Sequence, residues 1–131
     1  MATGFPVRSS QSSCDIEGQA TQFLLSAYAD RVLVVVTQLE SLGAVLHAQK
    51  ETVLGGGSTY RVDMLLGGRE DPALELCARQ LAERLSEDGC ERPLLLCLGL
   101  RRQRSGGGGG ASVAAVRAIV AHVLASEPVW T

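Results

Sequence analysis

The chain has 131 residues, of which 46% are hydrophobic and 20% are charged, and this composition fits one folded domain better than a disordered segment. Twelve basic residues stand against 14 acidic ones, and a net charge of −2 argues against nucleic-acid binding and against attachment to anionic membranes. The N-terminus has no apolar stretch typical of a secretory signal, and the four cysteines are predicted to be reduced thiols. We therefore expect a cytoplasmic protein, with the nucleus left open as a second compartment.

The first half of the chain predicts strands. Residues 1–12 are rich in Ser, Gly and Pro and predict a flexible N-terminal tail, which leaves residues 13–131 as a single domain. Alternating or β-branched runs predict strands at 14–19, 21–28, 31–39, 44–49 and 59–66. Gly43 predicts a hairpin turn between the third and fourth strands, and the segment 50–58, with three consecutive glycines, predicts a flexible loop. In the fifth strand, alternate residues are predicted to face inward: Tyr60, Val62, Met64 and Leu66.

The second half predicts a helix, a strand and a second helix. Asp71 and Pro72 are typical of a helix start, and Gly89 predicts its end. Residues 92–100 predict a buried strand, and residues 111–126 predict the second helix. Short turns between consecutive strands favour an α+β fold with an antiparallel sheet of about six strands and two amphipathic helices on one face.

Two of the predicted strands are apolar on both sides, which requires cover on both sheet faces. Six strands span roughly 29 Å, whereas two helices of about 10 Å each cover roughly 20 Å of one face. The other face must meet either the same sheet folded over itself or a second subunit. We favour a sheet-on-sheet dimer, and we predict that the dimer face contains Leu33, Val35, Leu95 and Cys97.

No pattern in the sequence predicts catalysis, a metal ion or a cofactor. His47 and His122 stand apart from any nucleophile or paired carboxylates, and both are interpreted as surface or half-buried residues. Neither glycine run is followed by the lysine of a phosphate-binding loop. The cysteines lack the close pairs of a zinc site and predict buried thiols, and Trp130 is predicted to pack against a helix end.

Protein binding therefore remains as the predicted activity, and the loops are the candidate contacts. The 50–58 loop carries two charges and two apolar side chains, and it is the first candidate for partner binding through Lys50, Glu51, Val53 and Leu54. The second candidate is the basic cluster of Arg101, Arg102 and Arg104, for which a solvated strand end is the simpler interpretation.

The order of motifs resembles the proteasome assembly chaperone 3 family. The resemblance is carried by LSAYADRVLVVVTQLESLGAVL at 25–46, VDMLLGGREDP at 62–72, PLLLCLGL at 93–100 and PVW at 128–130. It covers roughly residues 12–131. The glycine-rich segments at 50–58 and 105–110 depart from the family's pattern, so the resemblance does not extend to contacts made through those loops.

The resemblance implies a chaperone without catalysis or cofactor. Such a protein promotes assembly of the 20S proteasome by binding α-type subunits and helping to order the α-ring. It acts as a dimer, either with a related partner similar to proteasome assembly chaperone 4 or with itself. The alternative function is a scaffold subunit similar to longin or roadblock proteins, whose partner would be a small GTPase or a trafficking complex.

Overall fold

The fold is α+β, with one six-stranded sheet and two helices. The computed structural model describes residues 8–38, 43–67, 72–100, 113–126 and 129–130. Within these ranges the elements follow in the order β1 (Arg8–Ile16), β2 (Gln19–Ala27), β3 (Val32–Thr37), β4 (Ala44–Thr52), β5 (Ser58–Leu66), α1 (Pro72–Glu87), β6 (Leu94–Gly99) and α2 (Val113–Ala125).

The sheet is mixed, and the prediction of an antiparallel sheet is wrong in one respect. The strand order is β1-β2-β3-β6-β4-β5, with β3 parallel to β6 and all other neighbours antiparallel. The predicted hairpin between the third and fourth strands does not form, because β6 lies between them. The two strands that are apolar on both sides thus pair with each other at the centre of the sheet, away from its edge strands.

Residues 8–12, which the sequence assigned to a tail, belong to β1. This strand pairs with β2 along its whole length, from Arg8 opposite Ala27 to Ile16 opposite Gln19. Glu17 and Gly18 form the two-residue turn, with φ values of 51° and 80°. Positive φ at both positions matches the twist of a tight hairpin and explains how a polar segment is held at the sheet edge.

One side of the sheet, which we call the core face, supplies the hydrophobic core. Alternate residues of the three central strands are nearly inaccessible to water: Val32, Val34, Val36, Ala44, Leu46, Ala48, Leu94, Leu96 and Leu98. They join Phe23 and Leu25 of β2 and the buried residues of both helices in one cluster. The core therefore forms between this face and the helices.

The helices bury the apolar stripes that the sequence predicted. Cys77, Leu81 and Leu85 of α1 are buried, as are Val116, Ile119 and Val123 of α2. The Cys90 amide donates to the Leu85 carbonyl at 2.8 Å and the Gly89 amide to the Ser86 carbonyl at 3.0 Å, with φ of 85° at Gly89. This pair of bonds satisfies the last carbonyls of α1 and ends the helix where the sequence predicted.

Arg92 and Trp130 close the domain at one end of the strands, where β2 finishes and β6 begins. Arg92 donates to the carbonyl oxygens of Tyr28 at 2.7 Å and Trp130 at 2.8 Å. The Trp130 indole, 6% exposed, donates from Nε1 to Asp88 Oδ2 at 3.0 Å, at the end of α1. The prediction that Trp130 packs against a helix end is confirmed.

Candidate protein-binding surface

The side of the sheet opposite the core face, which we call the open face, is apolar along its middle. Strand register aligns one residue from each of five strands in what we call the apolar row: Leu24, Val35, Cys97, Val45 and Leu66. A parallel line, the mixed row, contains Ser26, Leu33, Leu95, His47 and Asp63. These two rows cross five of the six strands, from β2 to β5.

Exposure differs between the two faces at three of the four positions predicted for the dimer face. Leu33, Val35 and Leu95 are half-buried, and Cys97 is 7% exposed, whereas their chain neighbours on the core face are almost completely inaccessible. The structure therefore brings together all four residues predicted for the dimer face. Leu33 lies opposite Leu95 and Val35 opposite Cys97 across the parallel pair at the centre of the sheet. Whether a second subunit covers them stays a prediction.

The apolar row ends in a projection at the edge of the sheet. Register shifts at Val45, so that Leu65 and Leu66 of β5 together oppose this one residue in a β-bulge. Leu65 is 60% exposed and Leu66 59%, among the most exposed large apolar residues that the structure describes. Gly67 follows with φ of 124°, and a Cβ there would lie 3.1 Å from the Gly43 carbonyl oxygen. We call Leu65 and Leu66 the β5 knob.

At the other end of the apolar row the open face is hollow. A depression of about 520 Å³ lies over β1, β2 and β3. Its open-face lining consists of Gln11, Ser13, Gln22, Leu24, Val35 and Thr37. None of these lining residues is charged. Leu24 and Val35 are apolar, and the others carry amide or hydroxyl groups. We call this depression the β2 hollow.

Charged side chains lie on the open face near both edges of the sheet: Arg61 and Asp63 on β5, and Asp15 on β1, which register places on the same face as Gln11. Arg61 lies 3.1 Å from an oxygen of Asp63 and 3.8 Å from one of Glu51. At the opposite side, Ser9 and Ser26 share a hydroxyl hydrogen bond of 2.9 Å. Because the Arg61 ion pairs are exposed, each is worth under about 1 kcal/mol in stability, and their main effect is to orient the charges.

The segment predicted as a flexible loop is the end of a hairpin arm. β4 pairs with β6 only from Ala44 to Ala48, so its last four residues and their β5 partners extend beyond the central strands. Residues 53–57 make the turn, with the Val53 amide donating to the Gly57 carbonyl at 2.8 Å. Gly55 and Gly56 have φ of 106° and 99°, so the glycines serve a tight turn.

The predicted partner-binding residues of the 50–58 segment divide into two kinds. Lys50 and Glu51 lie in β4, where Lys50 donates to the Ser86 hydroxyl of α1 at 3.0 Å and Glu51 faces Arg61. Val53 and Leu54 lie in the turn and are 47% and 100% exposed. The charges therefore brace the arm, whereas the apolar pair is presented to the solvent at its tip.

The second predicted group is the basic cluster that follows β6 in the sequence. Arg101, Arg102 and Arg104 lie outside the described residues. β6 runs antiparallel to β4. Leu100, the last described residue before this cluster, therefore lies at the end of the strands opposite the Val53–Gly57 turn.

Sequence reasoning missed the β5 knob and the β2 hollow. Leu66 was predicted to face inward, but the bulge breaks the alternation and leaves it exposed. Two adjacent leucines before Gly67 were the available signal, because glycine near the end of a strand often marks a bulge. The hollow gave no comparable signal, since it depends on the pairing of β1 with β2.

In the described part of the chain, no three His, Cys, Asp or Glu residues are grouped so that they could hold a metal ion. His122 is engaged structurally: Ser12 Oγ lies 2.8 Å from its Nε2, and its ring contacts Phe23. All four cysteines are free thiols. Burial raises the pKa of Cys77 to about 12 and raises the pKa of Cys97, so neither is an activated nucleophile. None of the described helices has both the length and the apolar character of a membrane span.

Comparison with known proteins points to a single family. The family model described as proteasome assembly chaperone 3 matches residues 34–125. Proteins named proteasome assembly chaperone 3 from Nematostella vectensis and Bos taurus are 31% and 28% identical to this chain, covering 70% and 71% of it and 73% and 77% of their own lengths. The human protein of that name is 26% identical over 77% of this chain and 84% of its own.

The fold has a solved counterpart. A chain from the crystal structure of a chaperone complex for yeast 20S proteasome assembly superimposes with a TM-score of 0.65, covering 89% of this chain and 96% of that one at 11% identity. The fold is a single-sheet α+β fold with an apolar open face and an apolar hairpin tip. These features are typical of a protein-binding protein. This chain belongs to the proteasome assembly chaperone 3 family.

Proposed function

We propose that this protein is a non-catalytic chaperone that promotes assembly of the 20S proteasome by binding α-type subunits and helping to order the α-ring. It acts as a dimer, with a related chaperone or with a second copy. Family membership and the shared fold support the proteasome as the process. The apolar open face is the single observation that carries the mode of action, because a face of this kind calls for a protein partner.

In the proposed dimer, both helices cover the core face and the open face meets the second subunit. His122 of α2 contacts Phe23, and Lys50 bonds to Ser86 of α1, so both helices contact core-face residues. Over the six-residue central strands the open face measures about 29 Å by 20 Å, or about 580 Å² in projection. This approaches the roughly 800 Å² per partner that stable interfaces bury.

The proposed contact with the α-type subunit is the tip of the hairpin arm. A dimer that uses the open face leaves the arm accessible, since residues 49–61 extend beyond the central strands. Leu54 is completely exposed at a turn closed by hydrogen bonds, so it is presented without the entropy cost of ordering a flexible loop. A client with an apolar pocket fits this tip. Lys50 at its base holds the arm on α1.

The test is capture of purified proteasome α-type subunits by the immobilised protein. Replacing Val53 and Leu54 with Ser leaves the Lys50 brace intact, and we expect capture to weaken tenfold or more, about 1.4 kcal/mol. Replacing Lys50 and Glu51 with Ser in addition should weaken capture further. Leu76→Ser is the matched control, because Leu76 is 43% exposed on α1 and lies away from the tip.

Unchanged capture by the tip variant would assign the client contact elsewhere, with Arg101, Arg102 and Arg104 next to be replaced. No capture of purified α-type subunits by the wild-type protein, together with capture of small GTPases from a cell lysate, would contradict the proposed function and support the scaffold alternative. Fractionation of cells should place the protein in the cytoplasm, where the proposed assembly would take place.

A further inference from the structure

We propose that Lys50 is the acylation site of this chain, and that transfer of an acyl group from a thioester to its Nζ releases the hairpin arm from α1 and weakens client capture. The proposal rests on the proposed function only in taking Val53 and Leu54 at the arm tip as the client contact. It adds a covalent modification site, the class of donor that acts there and the physical link between the modification and the tip.

Lys50 is the single lysine of the sequence. The chain has twelve basic residues, and the other eleven are arginines. An arginine guanidinium stays protonated, whereas the lysine amine is the side-chain target of acetylation and ubiquitination. Any acyl group that reaches a side-chain amine of this chain must therefore reach Lys50, which stands three residues before Val53 and the exposed turn.

Lys50 connects the arm to the end of α1. It belongs to the part of β4 beyond Ala48, the last residue of this strand that pairs with β6. Its Nζ donates to the Ser86 hydroxyl at 3.0 Å, and Ser86 lies in the last turn of α1, which ends at Glu87. The C-terminus of a helix carries a partial negative charge, so the ammonium is held there by its charge as well as by the hydrogen bond.

The amine of Lys50 can reach a transferase. The residue is half-buried, and the ion pairs of the described part of the chain do not include it. Its acceptor is an uncharged hydroxyl, which water can replace at small cost. Alternation along β4 places Lys50 on the same side as the buried Leu46 and Ala48, so a second subunit on the open face would leave the amine uncovered.

Acylation removes the charge that holds the arm. A base of the transferase takes one proton from the ammonium, and the neutral Nζ attacks the carbonyl carbon of the thioester. The C–N bond of an amide forms, the C–S bond breaks, and the departing thiol carries away one amine hydrogen. The product is a neutral amide with one N–H donor in place of three, so its attraction to the end of α1 is lost.

Loss of this link leaves the arm folded but less firmly held. Tyr60, which lies opposite Lys50 across the arm, still packs against the core. The tip then samples more orientations, and a client that binds it must restrict them at a cost in affinity. Lys50 lies about 10 Å along the strand from Val53, so a client seated on the tip also shields the amine. Acylation therefore favours the free chaperone.

The first test identifies the site. The protein is incubated in cell extract with acetyl-CoA in one series and with ubiquitin and ATP in a second, and mass spectrometry with peptide mapping locates the added groups. We expect one acyl group on Lys50 in at least one series, which also identifies the donor, and no side-chain adduct on Lys50→Arg. No adduct on Lys50 in either series, or equal side-chain modification of Lys50→Arg, would overturn the site.

The second test measures the link to the arm. Lys50→Nε-acetyllysine, made by amber suppression, should speed amide hydrogen exchange over residues 49–61. Capture of purified α-type subunits should weaken about fivefold, the loss expected for one charge-assisted hydrogen bond at a helix end. Ser86→Ala is the matched variant, because it removes the acceptor and keeps the amine. Its effect on exchange and that of acetylation should be less than additive, since both break the same bond.

Two outcomes separate this proposal from the proposed function. Exchange over residues 49–61 that acetylation does not change, or strictly additive effects of acetylation and Ser86→Ala, would overturn the link between Lys50 and the arm. Faster exchange with unchanged capture would support release of the arm and would contradict the tip as the client contact.

Discussion

The two faces of the sheet differ although they are built from the same strands. In β3, Val34 is inaccessible to water and its neighbour Val35 is half-buried; in β6, Leu96 and Leu95 show the same contrast. Successive residues of a strand point to opposite faces of the sheet. Side chains of equal hydrophobicity therefore have different roles, depending on the face to which they point. The core face holds the chain folded, and we propose that the open face holds two subunits together.

We expect the largest difference in stability between the variants Val34→Lys and Val35→Lys. A lysine at Val34 would bury an unpaired ammonium in the core, at a cost of several kcal/mol, which is comparable with the whole stability of a domain this size. We expect this variant to be unfolded. Val35→Lys should fold, because its ammonium can reach water in the monomer. Thermal melting followed by circular dichroism measures both, and equal loss of folding would break the distinction between the faces.

Part of this architecture could be predicted from the sequence. The apolar helix stripes and the continuous runs of β3 and β6 follow from burial alone, so both helices, the five strands after β1 and the four central open-face residues were predictable. The position of β6 between β3 and β4 was not predictable. Gly43 indicates that the chain turns, but it does not indicate which strand the next segment pairs with. The parallel pairing depends on contacts distant in sequence.

The first strand shows a different limit. RSSQSSCDI contains almost no apolar periodicity, so its pairing with β2 depends on backbone hydrogen bonds and on the Glu17–Gly18 turn. A glutamate at positive φ is uncommon, and the sequence therefore gives a weak turn signal. Since β1 forms one wall of the β2 hollow, missing this strand also concealed the hollow. The β5 knob was concealed by a bulge that interrupts an otherwise regular alternation.

Shortening a leucine to alanine on either face should give a smaller difference in stability between the two faces. Leu96→Ala removes a fully buried side chain, and we expect the free energy of unfolding to fall by about 2–5 kcal/mol at every protein concentration. Leu95→Ala should cost less in the dissociated protein, because the side chain is already partly exposed there. Its effect should increase at concentrations where the dimer forms. Urea unfolding at several concentrations separates the two, and concentration-independent loss for Leu95→Ala would count against the open face as an interface.

The smallest expected effect is a difference in the labelling rates of two cysteines, one in the core and one on the open face of the sheet. Cys77 lies in the core with a pKa raised to about 12, and Cys97 lies on the open face with a pKa raised by partial burial. Cys77 should be the slowest thiol to react with a maleimide at any protein concentration. Cys97 should react more slowly as concentration rises and the second copy covers it. A Cys97 rate that does not depend on concentration would indicate that this thiol stays outside any interface.

Sedimentation velocity over a micromolar concentration series tests the central claim most directly. The subunit mass is 13.8 kDa, so a dimer through the open face should sediment at twice that mass and should approach the subunit mass on dilution. Val35→Lys should sediment as the subunit throughout the series. A wild-type protein that remains at the subunit mass across the series would contradict a dimer of two copies, and a Val35→Lys variant that folds and still dimerises would contradict the open face as the association surface.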